Sequence, residues 1–183
     1  MKTFDTAEAV KSIAVLTVLL GVSTFLMIAF HDFVESHRPK VEESVRVILE
    51  QVLPGAAEFK PVFDEQDQVL YYEAFSREGR KKGYGFIFSG LGMWGEIRYS
   101  GGLDLDFRLT GVKILKQEET PGLGSRIEEP WFQEQFKGLA AGELEFTKHG
   151  GKIDGITGVT TTCEAVVEAI KGEMTRIAGY AGG

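Results

Sequence analysis

An uncharged apolar run near the N-terminus constrains the fold of this chain more than any other feature. Residues 12–30 read SIAVLTVLLGVSTFLMIAF and contain no charged side chain. As an α-helix this run extends about 28 Å, close to the thickness of the hydrocarbon core of a bilayer. It is longer than the apolar part of a signal peptide, and no A-x-A-like cleavage site follows it. We therefore expect a tail over residues 1–11 and a single-pass transmembrane anchor, in contact with membrane lipid, over residues 12–31.

The overall charge and the cysteine content narrow the possible partners and cofactors. The chain carries 27 acidic against 20 basic residues, a formal net charge of −7, which argues against a nucleic-acid-binding surface. Cys163 is the single cysteine, so an intrachain disulfide is impossible. We find no ligand spacing typical of a metal site. The basic residues on the two sides of the apolar run do not decide which face of the membrane the domain occupies.

Strand and helix patterns alternate after the apolar run. Residues 32–55 place apolar side chains at helical spacing and end in Pro54-Gly55, which predicts an amphipathic connecting helix. Strand-like runs separated by turn residues follow between residues 58 and 119. The predicted fold class is therefore α+β, with residues 56–183 forming a domain whose mainly antiparallel sheet is flanked by helices.

The C-terminal part of the sequence supplies the flanking helices. Residues 128–138 predict a short amphipathic helix that ends at Gly138, and residues 143–148 predict a further strand. A terminal helix is expected from about Thr160, with one apolar stripe that packs on the sheet. The stripe consists of Cys163, Val166, Val167, Ile170, Met174 and Ile177.

Two glycine-rich loops are candidate binding segments. GLGMWG, residues 90–95, matches G-x-G-x-x-G, but strand and turn residues follow it where a dinucleotide-binding fold needs a helix. We interpret it as a sheet turn that places Trp94 beside a pocket, where the indole can stack on a flat ring. ETPGLG, residues 119–124, is either a connecting turn or a loop whose backbone approaches a ligand closely. In the second case Glu119 and Thr120 are its hydrogen-bonding side chains.

The segment DGITGVTTT, residues 154–162, lies where the last predicted helix begins. Thr161-x-x-Glu164 fits a capping box, so its threonines can be interpreted as helix caps. A helix N-terminus is also an anion site, because its free amides and its dipole attract negative charge. One cap needs one hydroxyl, and this segment supplies four, on Thr157, Thr160, Thr161 and Thr162. The excess favours a ligand that carries a phosphate.

The same segment resembles the flavinylation motif of bacterial FMN-binding domains, an acid followed by a short S/T-G-A-T sequence. ETPGLG, the glycine–tryptophan turn and VLPG after the apolar run extend the resemblance over nearly the whole chain. The pattern is similar to that of the G subunit of the Rnf complex and, more distantly, of the C subunit of the Na⁺-pumping NADH:quinone reductase. One departure is Val159, where the motif has alanine. A branched side chain there leaves the acceptor hydroxyl in place, and the sequence does not decide whether it hinders the modifying enzyme.

The resemblance implies both a site and a function. FMN is joined through its phosphate to Thr160 by an FAD-dependent flavin transferase that reads Asp154. The chain is then a non-autonomous electron-transfer subunit of a membrane-bound, ion-translocating ferredoxin:NAD oxidoreductase complex, and the other subunits are its partners. Its soluble domain lies on the outer, periplasmic face of the cytoplasmic membrane. The residues expected at the cofactor are Asp154, Thr157, Gly158, Val159, Thr160, Thr161, Thr162, Trp94, Glu119, Thr120, Gly122, Leu123 and Gly124.

Two other interpretations of these residues stay open. The chain can be a membrane-anchored, non-redox binding or assembly module that holds a phosphorylated ligand reversibly. It can also be a scaffold whose threonines only cap the last helix. Covalent FMN separates the three interpretations, because only a covalent cofactor adds mass after denaturation.

Overall fold

The computed structural model describes residues 6–36 and 43–182, with side chains described for residues 15–30 and 43–182. The chain divides into two compact units, Met1–Lys40 and Val41–Gly183. Each unit is described separately below.

The first unit consists of helix α1, which spans Thr6–Ser36. The helix therefore includes residues 6–11 of the predicted tail, while residues 1–5 lie outside the described part of the chain. Large apolar side chains between Val15 and Phe30 are exposed along it. No helix among the described residues has both the length and the apolarity that crossing a membrane requires.

The second unit is an α+β domain, as the sequence predicts. The predicted connecting helix, residues 32–55, is only partly reproduced: residues 32–36 belong to α1, and residues 37–42 lie outside the described chain. The elements of the domain are α2 Glu43–Val52, β1 Glu58–Phe63, β2 Val69–Phe75, β3 Lys81–Leu91, β4 Glu96–Leu103, β5 Leu109–Gln117, α3 Pro130–Glu134 and α4 Thr160–Ala181.

The five strands form one antiparallel sheet in the order β1-β2-β3-β4-β5, so each strand pairs with its neighbours along the chain. Two of the hairpin turns use the same side-chain device. Asp64 Oδ1 accepts backbone N–H bonds from Gln66 and Gln68, and Asp104 Oδ1 accepts them from Asp106 and Arg108. An aspartate that bonds its own turn in this way fixes the reversal between strands.

The sheet has an apolar cluster on each face, because successive side chains of a strand point to opposite sides. Phe86 belongs to the larger cluster, together with the buried stripe of α4. Its neighbour Ile87 packs against the smaller cluster, which contains Leu49, Val52 and Leu53 from α2 and the residue that follows it. All six residues of the predicted α4 stripe are buried, which confirms that helix and its packing face.

The segment between α3 and α4 departs from the prediction. Helix α3 is short, and Gly138 follows it with a φ of +81°. Residues 143–148 do not form the predicted strand, since only Phe146 makes a bridge, to Ile153. Leu144 and Phe146 are nevertheless buried. The alternation that predicted a strand reflects burial of every second side chain without a ladder of backbone pairs.

Glu143 is the centre of a surface charge network in this segment. Its carboxylate bonds Lys152 Nζ at 2.6 Å, the backbone N–H of Ala140 at 3.0 Å and Arg108 at 2.8 Å. These contacts, with the bond to Lys152 the largest, lower the pKa of Glu143 to about 2. The network therefore stabilises the 140–152 segment most strongly at pH values at which Glu143 is ionised.

Candidate cofactor-binding site

Helix α4 begins at Thr160 without a side-chain cap. The residue that precedes it is Val159, whose side chain cannot accept a hydrogen bond. The first intrahelical bond is donated by Cys163 N–H to Val159 O at 3.0 Å, so the amides of residues 160–162 precede the helical ladder. The predicted capping box does not form, and Glu164 instead bonds Lys148 Nζ at 2.8 Å. The start of α4 therefore meets the requirement for an anion site.

The four threonines are not equivalent. Thr157, Thr160 and Thr161 are exposed, whereas Thr162 is only 1% exposed. The hydroxyl of Thr162 donates to Glu119 Oε2 at 2.7 Å. The expectation that the Thr162 side chain bonds a phosphate is therefore wrong for this structure, because its hydroxyl is directed into the domain.

Val159, the departure from the motif, packs in the main apolar cluster and is 5% exposed. Its branched side chain thus faces the core, whereas the neighbouring Thr160 faces solvent. The open question of hindrance at this position therefore concerns a side chain that lies in the core and not beside the exposed hydroxyl of Thr160.

A surface cavity of about 360 Å³ opens beside Thr160. Thr160, Thr157 and Gly158 form one side of it, and Lys148 contributes a cation that the sequence analysis did not single out. Phe146, Thr147, Gly155, Ile156 and Cys163 complete the lining. The thiol of Cys163 is buried, and this burial raises its pKa, so the thiol stays protonated at neutral pH.

Asp154 lies in the loop before α4 and is held by two side chains that sequence reasoning missed. Its carboxylate accepts the hydroxyl of Thr147 at 2.9 Å. Its backbone N–H donates to Gln135 Oε1 at 2.7 Å, and its carbonyl accepts from Gln135 Nε2 at 3.2 Å. Asp154 is exposed, so a protein that binds this surface can reach its carboxylate.

The ETPGLG loop lies next to the threonine segment. A Cβ placed on Gly158 would be 3.8 Å from Leu123 Cδ1, so the two loops lie side by side. Leu123 is 46% exposed, and Gly122 adopts a φ of +73° that favours glycine. Thr120 is exposed, and its carbonyl accepts the N–H of Leu123 at 3.1 Å.

The glycine–tryptophan turn reaches the same region through Glu119. Gly92 N–H donates to Gly95 O at 2.8 Å to close the turn, and Trp94 N–H donates to Glu119 Oε1 at 3.1 Å. The indole of Trp94 is 67% exposed, so its faces are available to a flat ring. Gly124 lies against the side chain of Glu119. The structure thus brings together the three segments that the sequence singled out.

Tyr99 also lies near Glu119, and sequence reasoning did not identify it. It is fully buried, and its hydroxyl makes no hydrogen bond among the described residues. Burial and then the negative charge of Glu119 raise the pKa of Tyr99 to about 12. Neither Tyr99 nor Lys148 has a distinctive sequence context, because only the fold places them beside the three segments.

Comparison with known proteins identifies the family to which this chain belongs. The FMN-binding domain family matches residues 92–172, a range that contains the ETPGLG and threonine segments and residues 92–95 of the glycine–tryptophan turn. The G subunit of an ion-translocating oxidoreductase complex from Methanosarcina acetivorans is 31% identical over 186 residues, which cover 97% of this chain and 99% of that protein. The chain belongs to the FMN-binding G-subunit family of these complexes.

A second relative is also described as a G subunit, and a solved structure of a C subunit is similar to part of this chain. The G subunit of the Na⁺-translocating ferredoxin:NAD⁺ oxidoreductase complex of Acetobacterium woodii is 31% identical over 145 residues, covering 68% of this chain and 69% of that protein. Among solved structures, the C subunit of the Na⁺-translocating NADH-quinone reductase of Parabacteroides distasonis aligns with 59% of this chain and 60% of that chain, at 27% identity and a TM-score of 0.47.

The residues of this G-subunit protein fit a phosphate-linked flavin. Thr160 offers an exposed hydroxyl at the start of a long helix, and within the described part of the chain no side chain caps the amides beside it. Lys148 adds a positive charge on the cavity wall. Trp94 and Leu123 add exposed apolar surface of the kind that a flat aromatic ring covers.

Proposed function

We propose that this chain carries FMN attached through its phosphate to Thr160, and that it transfers electrons within an Rnf-type, ion-translocating ferredoxin:NAD oxidoreductase complex. The observation that carries the proposal is the start of α4, where the exposed hydroxyl of Thr160 lies beside amides that no side chain of the described residues caps. The names of the related subunits support the redox role. FMN supplies the electron chemistry when it is bound, and the protein supplies placement and electrostatics.

The start of α4 is suited to hold a phosphoester. A phosphodiester linkage at Thr160 would carry one negative charge, shared by its two non-bridging oxygens. The amides of the first turn and the positive end of the helix dipole offset that charge. Thr157 and Lys148 line the same cavity and can donate further bonds. Lys148 also pairs with Glu164 at 2.8 Å, a contact that holds its side chain beside the start of α4.

Attachment needs an enzyme that reaches the hydroxyl of Thr160. In the balanced reaction a bond forms between Thr160 Oγ and the FMN phosphorus of FAD, the phosphoanhydride bond breaks, AMP leaves and the hydroxyl proton is released. Both Thr160 and Asp154 are exposed, which allows one enzyme surface to contact both. Val159 is buried between these exposed positions, so we expect it not to obstruct the transfer.

Trp94 and Leu123 provide the surface beside this attachment point. Their exposed side chains come from two different loops, and both loops are tied to the start of α4. We assign them to the contact with the flavin ring. A cofactor that is tethered at Thr160 cannot dissociate, which suits a protein that passes electrons repeatedly between fixed neighbours.

The experiment that tests attachment compares two neighbouring threonines. The full chain is co-expressed with an FAD-dependent flavin transferase, and flavin fluorescence is read in a denaturing gel together with the intact mass. We expect the wild type and Thr161→Val to carry one FMN each and Thr160→Val to carry none. Thr161 is the matched control because it is exposed in the same helical turn.

The same experiment separates the competing functions. FMN mass on Thr160→Val would overturn the assignment of the acceptor. Wild-type protein without covalent mass, but with a phosphorylated ligand that is lost on denaturation, would favour the reversible binding module.

Membrane attachment through residues 12–31, with the domain on the outer face, belongs to the same proposal. It rests on the uncharged run and the exposed apolar side chains of α1, and on relatives whose names describe ion translocation. We expect the full chain to stay in the membrane pellet after alkaline carbonate extraction. A protease added to spheroplasts, in which the cytoplasmic membrane is still closed, should cleave the domain. Release of the chain by carbonate, or full protection from protease, would contradict this part of the proposal.

A further inference from the structure

Glu119 is a buried carboxylate that joins three separate segments of the chain. It follows β5 and is 5% exposed. One oxygen, Oε1, accepts the backbone N–H of Trp94 at 3.1 Å, and the other, Oε2, accepts the hydroxyl of Thr162 at 2.7 Å. These partners lie 25 and 43 residues away along the chain. Both oxygens are therefore used inside the protein, and the side chain is not free to bind a ligand in the way the sequence analysis expected.

Two glycines leave the space that this carboxylate occupies. A Cβ on Gly92 would lie 2.2 Å from Glu119 Oε1, and a Cβ on Gly124 would lie 2.7 Å from Oε2. Neither glycine has a positive φ, so the backbone conformation does not explain them. The close approach to Glu119 explains both glycines, because any larger residue would collide with the carboxylate.

The bond to Thr162 also affects the start of α4. A threonine hydroxyl in the first turn of a helix can turn back to bond nearby backbone groups. Here the hydroxyl of Thr162 donates to Glu119, and the side chain of Val159 has no hydroxyl. Neither of these two side chains therefore competes for the amides next to Thr160.

We propose that Glu119 is a positioning residue for the attachment site. Its carboxylate fixes the Trp94 turn and the start of α4 relative to each other, so that the surface for the ring and the acceptor hydroxyl keep one geometry. The inference rests on the proposed function of Thr160. It concerns a contact within the protein, however, and is testable before any flavin is attached.

The first measurement is hydrogen exchange of the unloaded full chain in detergent. We compare Glu119→Ala, Glu119→Gln and the control Glu118→Ala, which removes an exposed neighbouring carboxylate that pairs with Lys116. Alanine removes both bonds, and we expect peptides covering residues 92–95 and 160–163 to exchange about tenfold faster or more. Glutamine keeps an acceptor for Trp94 N–H and a donor for the Thr162 oxygen. It should therefore remain within about threefold of the wild type, as should Glu118→Ala.

The second measurement is the fraction of chain that carries covalent FMN after co-expression with the transferase. We expect a several-fold loss in Glu119→Ala and recovery in Glu119→Gln. A role in overall stability alone would instead accelerate exchange throughout the sheet and would lower attachment in proportion to unfolded protein. If Glu119→Ala does not accumulate, Thr162→Val carries the test, because it releases the helix start and leaves the Trp94 bond in place.

The outcomes distinguish this inference from the proposed function. Unchanged exchange at both peptides in Glu119→Ala, or equal effects from Glu118→Ala, would overturn the positioning role while leaving Thr160 as the acceptor. Faster local exchange in a protein that never acquires covalent FMN would support the link through Glu119 and refute the attachment proposal.

Discussion

Replacing Thr162 by valine tests the hydrogen bond that connects α4 to Glu119. Valine keeps the shape of threonine but removes the hydroxyl, so a buried carboxylate oxygen loses its donor. Loss of a bond to a charged group costs about 1.5–3 kcal/mol. We therefore expect Thr162→Val to be less stable than the wild type by roughly that amount.

This cost converts into a measurable melting temperature. The unit Val41–Gly183 has an unfolding entropy near 0.3 kcal/mol/K, from about 2.1 cal/mol/K per residue. The midpoint of thermal unfolding should then fall by about 5–10 °C. The assay is tryptophan fluorescence or near-ultraviolet circular dichroism of the full, unloaded chain in detergent.

Thr161→Val is the control for this prediction. The substitution is chemically identical and lies in the same turn, but Thr161 is exposed, so its midpoint should stay within about 2 °C of the wild type. A midpoint for Thr162→Val that equals that of Thr161→Val would refute the claim that the Glu119 bond stabilises the domain.

Three further changes test other parts of the structure. A Cβ on Gly101 would lie 2.1 Å from Phe86 Cζ, so Gly101→Ala should destabilise the domain by about 1–3 kcal/mol in urea unfolding, whereas Gly142→Ala, which has open space around it, should change little. Tyr99→Phe removes a buried hydroxyl without a partner among the described residues, and its urea midpoint should equal or exceed that of the wild type; a clear loss would show that the hydroxyl is bonded. The pKa of Glu143 is lowered from 4.5 to about 2, so its contribution is present above pH 4.5 and is lost as the pH falls toward 2. Glu143→Gln should reduce the change of the urea midpoint with pH over that range, and an unchanged pH dependence would contradict the charge network.

The sheet was predictable because its turns are marked in the sequence. The run that predicts the first strand, EFKPVF, has the bounds of β1, and the glycines and aspartates between later runs mark the reversals. The predicted strand over residues 143–148 failed, because alternating apolar residues report burial and not pairing. A strand also needs a neighbouring strand with unpaired backbone groups, and the local sequence does not show whether the fold provides one.

The candidate site was predictable only as separate segments. Glycine, threonine and tryptophan patterns identified the loops, and the resemblance supplied Thr160 as the acceptor. The link between Glu119 and Thr162 spans 43 residues, and no local pattern encodes it. Similarly, the capping box failed because an N-cap at Thr161 would place the first helical residue at 162, whereas α4 begins two residues earlier, at Thr160, so that Thr161 lies inside the helix.

The order of the strands has a consequence for how the protein is made. Since each strand pairs with the one synthesised just before it, the sheet can assemble progressively as the chain leaves the ribosome. Helix α4 is the last of the described elements, and it supplies the side chains that cover one face of that sheet. Thr160, the proposed acceptor, therefore reaches its place only when the fold is finished, and on that proposal a modifying enzyme that requires this surface would select completed molecules over nascent or truncated ones.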